Sequence, residues 1–263
     1  MPLKMMNKGF RIAAMLGLVL VLMHFAGLHE VQAGLVPEIN ITLGPNADGE
    51  MPPPGSTSLQ ILFLTVFIAL LPSILMVMTS FTRIIIVFSF VRSALGTQQM
   101  PPNQVLIGLA LMLTLLIMNP VIVDIMDNAL TPLSEGYIEQ NEAISRAMEP
   151  LRGFMLRQVT TSNLSFFAGM AGEMLDGDDL DSIPSYILIP AFILTEITRG
   201  FIFGVIIYIP FIVIDMVVAS VLMAMGMMML PPAMISLPFK MLLFVLVDGW
   251  RLLIEVLIGT FAF

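Results

Sequence analysis

The stretch Ile209–Pro232 reads IPFIVIDMVVASVLMAMGMMMLPP, an apolar run that stops in a cluster of methionines. Three consecutive side chains on a helix point about 100° apart, so three methionines in a row cannot share one packed stripe. A glycine before them and two prolines after them indicate that regular helix ends here. The residues at this break are Gly226, Met227, Met228, Met229, Pro231 and Pro232.

The chemistry of this cluster leaves two interpretations open. Methionine is unbranched and flexible, so it fills gaps in a core or faces lipid, and it also repacks around partners of different shape. A hydrophobic constriction excludes water and ions by dewetting. Residue chemistry alone favours packing, with a soft seal that closes a channel as the alternative.

The composition predicts a membrane protein, since 58% of the residues are hydrophobic, 11% are charged and the mean hydropathy is +0.98. The formal charge of -8 comes without a basic cluster, which argues against nucleic acid as a partner. The chain has no cysteine, which excludes disulfides and thiolate chemistry.

Residues 1–33 have the pattern of a cleavable signal peptide. A basic region with Lys4, Lys8 and Arg11 precedes an apolar run at 12–23, and small residues end at Ala33. An uncleaved signal anchor is the alternative. Cleavage after Ala33 removes both histidines, which leaves neither a His or Cys ligand for zinc nor a Ser-His triad.

The remaining chain divides by composition into four segments. Residues 34–57 are rich in proline and form a predicted periplasmic linker, and residues 58–125 form a first apolar helical hairpin that Pro120 interrupts. Residues 126–186 form an acidic helical domain with a short second helix, capped by Ser162 or Asn163 and running through Leu175. Residues 187–263 form a second apolar helical region with the Met-rich loop.

The sequence also predicts where the second apolar region breaks and which segments lie on each side of the membrane. Residues 187–230 contain no polar hairpin, so the break is predicted at 231–238, followed by one last helix from 240 to 263. Arg83 and Arg92 are placed in a turn inside the cell and the acidic domain outside, because lysine and arginine favour the cytoplasmic side. The acidic run at 176–181 lacks the pattern of an EF-hand loop and is interpreted as a surface turn.

Several charges fall inside the apolar helices of the second region, where an unpaired charge in lipid is costly. Glu196 and Arg199 are three residues apart and share a helix face, while Asp215 stands alone. One interpretation is a proton or ion pathway. The other, which we favour, is ion pairs within or between subunits that hold packed helices in register. These charges are Glu196, Arg199, Asp215, Asp248, Arg251 and Glu255.

Five motifs fall within residues 58–263: Ser80–Arg83 (SFTR), Pro190–Phe201 (PAFILTEITRGF), Pro210–Met229 (PFIVIDMVVASVLMAMGMMM), Leu237–Lys240 (LPFK) and Phe244–Trp250 (FVLVDGW). These motifs resemble signatures of the FliP family, the flagellar type III protein-export gate proteins with homologues in injectisomes.

The resemblance implies an all-α fold: a helical integral membrane, export-gate subunit of kinked helical hairpins with a small extracytoplasmic helical domain. It implies a multi-pass protein of the bacterial inner membrane, at the flagellar basal body, that assembles in several copies with FliQ-, FliR- and FlhB-type proteins. Unfolded flagellar subunits pass through the resulting pore. The match of Met227, Met228 and Met229 to the family's Met-rich loop implies that they form a gasket closing it, with Gly226, Pro231 and Pro232 as hinge residues.

On this reading the protein is not an enzyme and needs no cofactor or metal, and no phosphate-binding loop for a nucleotide is present. One alternative is a proton-coupled membrane transporter that uses Glu196, Asp215 and Asp248, which predicts internal repeats. Another is an intramembrane hydrolase, for which the chain lacks a recognisable nucleophile and base motif.

Overall fold

The computed structural model describes residues 65, 69, 73, 74, 76–97, 100–173, 183–227 and 229–261. The chain divides into two compact units, Met1–Leu75 and Met76–Phe263. The predicted signal peptide with Ala33, the linker at 34–57 and the acidic turn at 176–181 lie outside the described residues. The described part of the second unit is helical, which confirms the all-α prediction.

Nine α-helices and one short π-helix, Met126–Leu130, follow one another in the described part of the second unit. The α-helices are α1 (Phe81–Ala94), α2 (Asn103–Ile117), α3 (Asn119–Ile125), α4 (Thr131–Ser134), α5 (Gln140–Gln158), α6 (Thr161–Ala171), α7 (Ser185–Ala224), α8 (Pro232–Leu246) and α9 (Gly249–Gly259).

Helix α7 explains why the second apolar region contains no hairpin before the Met-rich loop. It runs for 40 residues through Pro190 and Pro210 without ending, which is about 60 Å at roughly 1.5 Å per residue. Among the described residues it is the one helix long and apolar enough to cross a membrane by itself. The residues at 187–224 therefore form one long helix in place of two spans.

The first apolar region is bent where the sequence has proline. Helix α2 and the segment Asn119–Ser134 together are apolar enough for a second span, but they meet at an angle of 61°. Pro120 lies in the first turn of α3, where its missing N–H is not needed by the helix. The predicted interruption at Pro120 is thus a sharp bend between two helices.

The acidic segment contains the two predicted helices, with different ends. Helix α6 begins at Thr161 with Thr160 as its N-cap, so the prediction that Ser162 or Asn163 caps it was wrong. It ends at Ala171 and not at Leu175, because Gly172 adopts the left-handed conformation with φ 75°.

The C-terminal region breaks at a different place from the one predicted. Helix α8 begins at Pro232 and includes Pro238, so the break after α7 ends at Pro231 and does not extend over 231–238. The chain then turns at Asp248, whose φ of 51° is left-handed, before α9 starts at Gly249. The predicted single helix over 240–263 is therefore two helices.

The core of the unit is built where α1 crosses α7 at close range. A methyl group added to Gly204 would lie 2.4 Å from ring carbons of Phe90, and one added to Gly200 would lie 3.0 Å from Cγ2 of Ile86. Two glycines one turn apart let helix backbones approach closely, as they do between membrane helices. This crossing brings the charged side chains of the two helices together.

Candidate functional site: a buried ion pair and a Met-rich hairpin

Arg83 in the first turn of α1 and Glu196 in α7 form an ion pair that is fully buried. Nε of Arg83 donates to Oε2 of Glu196 at 3.0 Å, and Nη2 of Arg83 donates to Oε1. This two-point geometry matches the fork of a guanidinium to the two oxygens of a carboxylate. Both carboxylate oxygens of Glu196 are therefore occupied within the chain.

The remaining N–H groups of Arg83 bind two further segments of the protein. Nη1 donates to the carbonyl and to Oγ1 of Thr260, at 3.0 and 2.9 Å, and Nη2 lies 3.4 Å from Oε1 of Gln158. The ring of Phe261 lies over the guanidinium, with 3.9 Å from its carbon to the ring centroid. One side chain thus connects α1, α5, α7 and the residues after α9.

The sequence gives no local signal that Arg83 is the partner of Glu196. The prediction that Arg83 lies in a turn was wrong, because Arg83 is a buried helical residue. The cytoplasmic side of that turn stays a prediction. Arg199, the neighbour with which Glu196 shares a helix face, instead donates to Oε1 of Gln158 at 3.2 Å. The available signal was that a lone arginine followed directly by a long apolar run requires a partner.

A second ion pair connects the two helices that flank the Met-rich loop. Nζ of Lys240 in α8 lies 2.6 Å from Oδ2 of Asp215 in α7, and Oγ of Ser236 donates to Oδ1 of Asp215 at 2.5 Å. The lysine is buried and the carboxylate is half-buried. Asp215, which stood alone in the sequence, is therefore the anchor of the α7–α8 hairpin.

The loop between α7 and α8 has a backbone that fixes where the helix ends. Gly226 has φ 75°, and its N–H donates to the carbonyl of Met223, while the N–H of Met227 donates to the carbonyl of Leu222. This pair of bonds is the Schellman motif, for which glycine is favoured because it has no Cβ. The loop then reaches Pro231, which is the N-cap of α8.

The structure shows two of the three predicted gate methionines, since Met228 lies outside the described residues. Met229 is 98% exposed, and Met227 is also exposed. Neither side chain packs into the core of the chain that carries it. The exposure argues against core packing for Met229, while the lipid-facing interpretation and the seal are both compatible with it.

The last group of predicted charges is on the surface of the chain. Asp248, Arg251 and Glu255 are exposed, and the structure records no ion pair for any of the three within the described residues. Asp248 precedes α9 as its N-cap, so only Arg251 and Glu255 lie within one helix.

In the described residues there is also no group of three or more His, Asp or Glu side chains that could hold a metal ion.

A family model and several characterised relatives match this chain. The model described as the FliP family matches residues 63–257. The protein named flagellar biosynthetic protein FliP from Bacillus subtilis (strain 168) is 53% identical over 206 residues, which is 78% of this chain and 92% of that protein.

Proteins of the same name from two other organisms are similar over comparable lengths. The one from Pectobacterium carotovorum subsp. carotovorum is 50% identical over 204 residues, or 78% of this chain and 79% of that protein. The one from Treponema pallidum (strain Nichols) is 47% identical over 235 residues, or 88% of this chain and 85% of that protein. The matched region contains both ion pairs and the Met-rich loop.

Proposed function

The chain belongs to the FliP family, and from this premise we propose that it is a pore-forming core subunit of the flagellar type III protein-export gate. In this proposal several copies assemble with FliQ-, FliR- and FlhB-type proteins in the inner membrane at the flagellar basal body. Unfolded flagellar subunits pass between them, and the subunit itself has no catalytic role. Relatives named flagellar biosynthetic protein FliP support the flagellar role.

The observation that carries the proposal is the exposure of the Met-rich loop. Met229 projects from the end of a hairpin whose two helices are connected by the Asp215–Lys240 ion pair. A seal must present apolar side chains outward, toward the same loop of other copies or toward the passing chain. Methionine suits this position because its flexible thioether adapts to surfaces of different shape.

The length of α7 supports an assembly in which protein covers much of the helix. At about 60 Å it is twice the roughly 30 Å thickness of a bilayer's hydrocarbon core. Large apolar residues are exposed along it, including Phe201, Ile209, Met216 and Val221. Lipid can cover only part of this surface, so the remainder requires other subunits.

The pairing of Glu196 and Asp215 supports an export-gate subunit more than it supports a proton-coupled transporter. A carboxylate that carries protons needs contact with water at some stage of the cycle. Glu196 is fully buried and both its oxygens accept bonds from Arg83, while Asp215 is paired with Lys240 and Ser236. Both carboxylates are placed to join helices in register, which is the structural role of buried ion pairs.

The proposal is tested by replacing Met227, Met228 and Met229 with alanine in cells that express the complete gate. We expect entry of a small dye or ion to increase, because the apolar side chains that close the passage are shortened. Met170→Ala is the matched control, since Met170 is exposed on α6 and away from the loop. Unchanged permeability of the triple variant, with the complex intact on a native gel, would contradict the seal.

A further inference from the structure

Arg199 brings a positive charge into α7 that no carboxylate balances within the described part of the chain. Its cluster contains two arginines, Arg83 and Arg199, and one carboxylate, Glu196, whose two oxygens both accept bonds from Arg83. Arg199 is half-buried and donates to the neutral amide oxygen of Gln158 at 3.2 Å. The cluster therefore has a net charge of +1, and an anion from outside the chain can neutralise it.

Helix α9 presents the opposite surplus on an exposed face. Asp248, Arg251 and Glu255 are exposed and make no ion pair among the residues that the structure describes, and their charges sum to -1. Leu252 and Val256 are exposed beside Glu255 and line an apolar cavity of about 360 Å³ between α7, α8 and α9. This face thus combines a free carboxylate with an unfilled apolar cavity.

Arg199 and Glu255 lie at a similar height along the molecule. Helix α1 runs parallel to α7, since Arg83 pairs with Glu196 and Phe90 contacts Gly204. Helix α9 runs the opposite way, because its first turn packs on Phe88 through Trp250 and Thr260 at its end bonds to Arg83.

The helical rise converts these contacts into distances. Arg199 is three residues beyond Glu196 and Glu255 is five residues before Thr260, so both lie roughly 5–8 Å from the Arg83–Glu196 pair, in the same direction.

The two charges lie on different flanks of the subunit. Gly200 faces α1, and the side chain of the preceding residue points about 100° away, so Arg199 is turned from α1 towards Gln158 of α5. Helix α9 packs instead on α1 and α8, through the contacts of Trp250 with Phe88 and Phe244. Complementary groups at one height on two flanks are what a head-to-tail contact between identical subunits requires.

The apolar neighbours of the two charges have matching spacings. Ile202 and Ile206 are exposed and follow Arg199 by three and seven residues, which places them on the same face of α7. Leu252 and Gly249, which line the cavity, precede Glu255 by three and six residues. Because α9 is antiparallel to α7, both series descend from the charge by roughly 4.5 Å and then by about 9–10 Å.

We propose that Arg199 of one copy forms an ion pair with Glu255 of a second copy, while Ile202 and Ile206 of the first enter the cavity lined by Leu252 and Val256 of the second. The apolar contact supplies most of the attraction, and the ion pair fixes the axial register, as a single polar position does in a coiled coil. This contact rests on the proposed assembly of several copies and names the surfaces that join them.

A second copy accounts for more of these features than a membrane lipid does. A lipid phosphate would neutralise Arg199 but would leave Glu255 unpaired. An acyl chain would fill the cavity without using the matched spacing of the charges and apolar residues. The second copy satisfies the cation, the carboxylate and the cavity together.

The first experiment joins the two surfaces by a disulfide in membranes that contain the complete gate. The chain has no cysteine, so Ile202→Cys and Leu252→Cys introduce the only thiols and leave both charges in place. We expect a covalent dimer when the two single variants are expressed together and oxidised, and none from either alone, because a disulfide needs Cα atoms within about 7 Å. Met170→Cys expressed with Leu252→Cys is the control, and it should give no dimer.

The second experiment exchanges the charges between copies that carry different tags. Glu255→Arg alone should lower the amount of assembled complex on the order of tenfold, because two arginines then face each other. Arg199→Glu alone should do the same, and co-expression of the two variants should restore co-purification of the tags. Glu142→Arg is the matched control on an exposed face of α5, and we expect normal assembly.

The outcomes distinguish this inference from the proposed function. If no dimer forms while several copies still co-purify, the contact is wrong and the assembly stands. If Glu255→Arg assembles normally while Arg199→Glu does not, the partner of Arg199 is another anion, such as a lipid phosphate, and the inference fails. If the dimer forms but the alanine variant of the Met-rich loop does not leak, the contact stands and the seal fails.

Discussion

Arg83 and Glu196 lie 113 positions apart in the sequence and form a fully buried two-point ion pair between α1 and α7. Removing both from water is expensive, and the pair is stable only because the N–H groups of Arg83 are also satisfied by Thr260 and Gln158. The pair fixes the relative position of the two most tightly packed helices. Its loss should therefore affect folding and assembly first, and transport only as a consequence.

The change Glu196→Gln should strongly destabilise the protein, because it leaves the Arg83 guanidinium buried without a negative partner. Breaking a buried pair from one side costs about 3–5 kcal/mol. We expect little assembled complex on a native gel and faster proteolysis in membranes. The double change Glu196→Leu with Arg83→Met removes both charges and should recover part of the assembly, and a single variant that assembles normally would contradict the prediction.

The crossing of α1 and α7 predicts a large effect of a single methyl group. Gly204→Ala places a carbon 2.4 Å from the ring of Phe90, so the helices must separate or the ring must move. Overpacking of this kind costs about 1–3 kcal/mol, and resistance to thermal unfolding or proteolysis measures it.

Two other glycines provide graded controls for this prediction. Gly200→Ala should be milder, because its nearest neighbours, Cγ2 and Cβ of Ile86, lie at 3.0 and 3.1 Å and not at 2.4 Å. In α2, Gly108→Ala meets no atom within 4 Å and should stabilise by up to about 1 kcal/mol through helix propensity. Equal effects of all three changes would indicate that close packing is not the cause.

The sequence predicted the helical class and the break at the Met-rich loop because both depend on local signals. Apolar composition and helix-ending residues act over a few positions. The Schellman motif appears where Gly226, Pro231 and Pro232 indicated the end of a helix. The partners of Glu196 and Asp215 could not be read in this way. Arg83 and Lys240 are 113 and 25 residues distant, and only the folded chain brings them into contact.

The errors at the C-terminal region have the same origin. Proline is favoured in the first turn of a helix and usually interrupts its interior, yet α8 continues through Pro238. Composition alone does not distinguish a proline that starts a helix from one that a helix tolerates at 231–238. The turn that the structure has lies at Asp248 and depends on the positive φ of a residue that is not glycine. Because apolar residues precede and follow it, the sequence shows no turn signal there.

The Asp215–Lys240 pair predicts that the α7–α8 hairpin can be loosened without unfolding the core. Lys240→Met removes the cation, leaves Asp215 half-buried with only Ser236 as a partner, and should let the two helices separate near the loop. We expect higher dye entry through the assembled gate and retained assembly on a native gel. The exchanged pair Asp215→Lys with Lys240→Asp should close the gate partly again, and no difference between single and exchanged variants would argue against the ion pair.

Asp248 offers a prediction that also discriminates between a structural subunit and a proton-coupled transporter. Its φ of 51° is left-handed, which glycine adopts without cost, aspartate tolerates and alanine does not, so Asp248→Gly should preserve stability, whereas Asp248→Ala should lower it by about 1–2 kcal/mol. The side chain is exposed and has no ion pair among the residues that the structure describes, so we expect its charge to be dispensable in a structural subunit. Flagellar export, measured as secreted subunits, should therefore persist in Asp248→Gly. If glycine and alanine abolish export equally while the complex still assembles, the carboxylate itself is required, and the transporter would regain support.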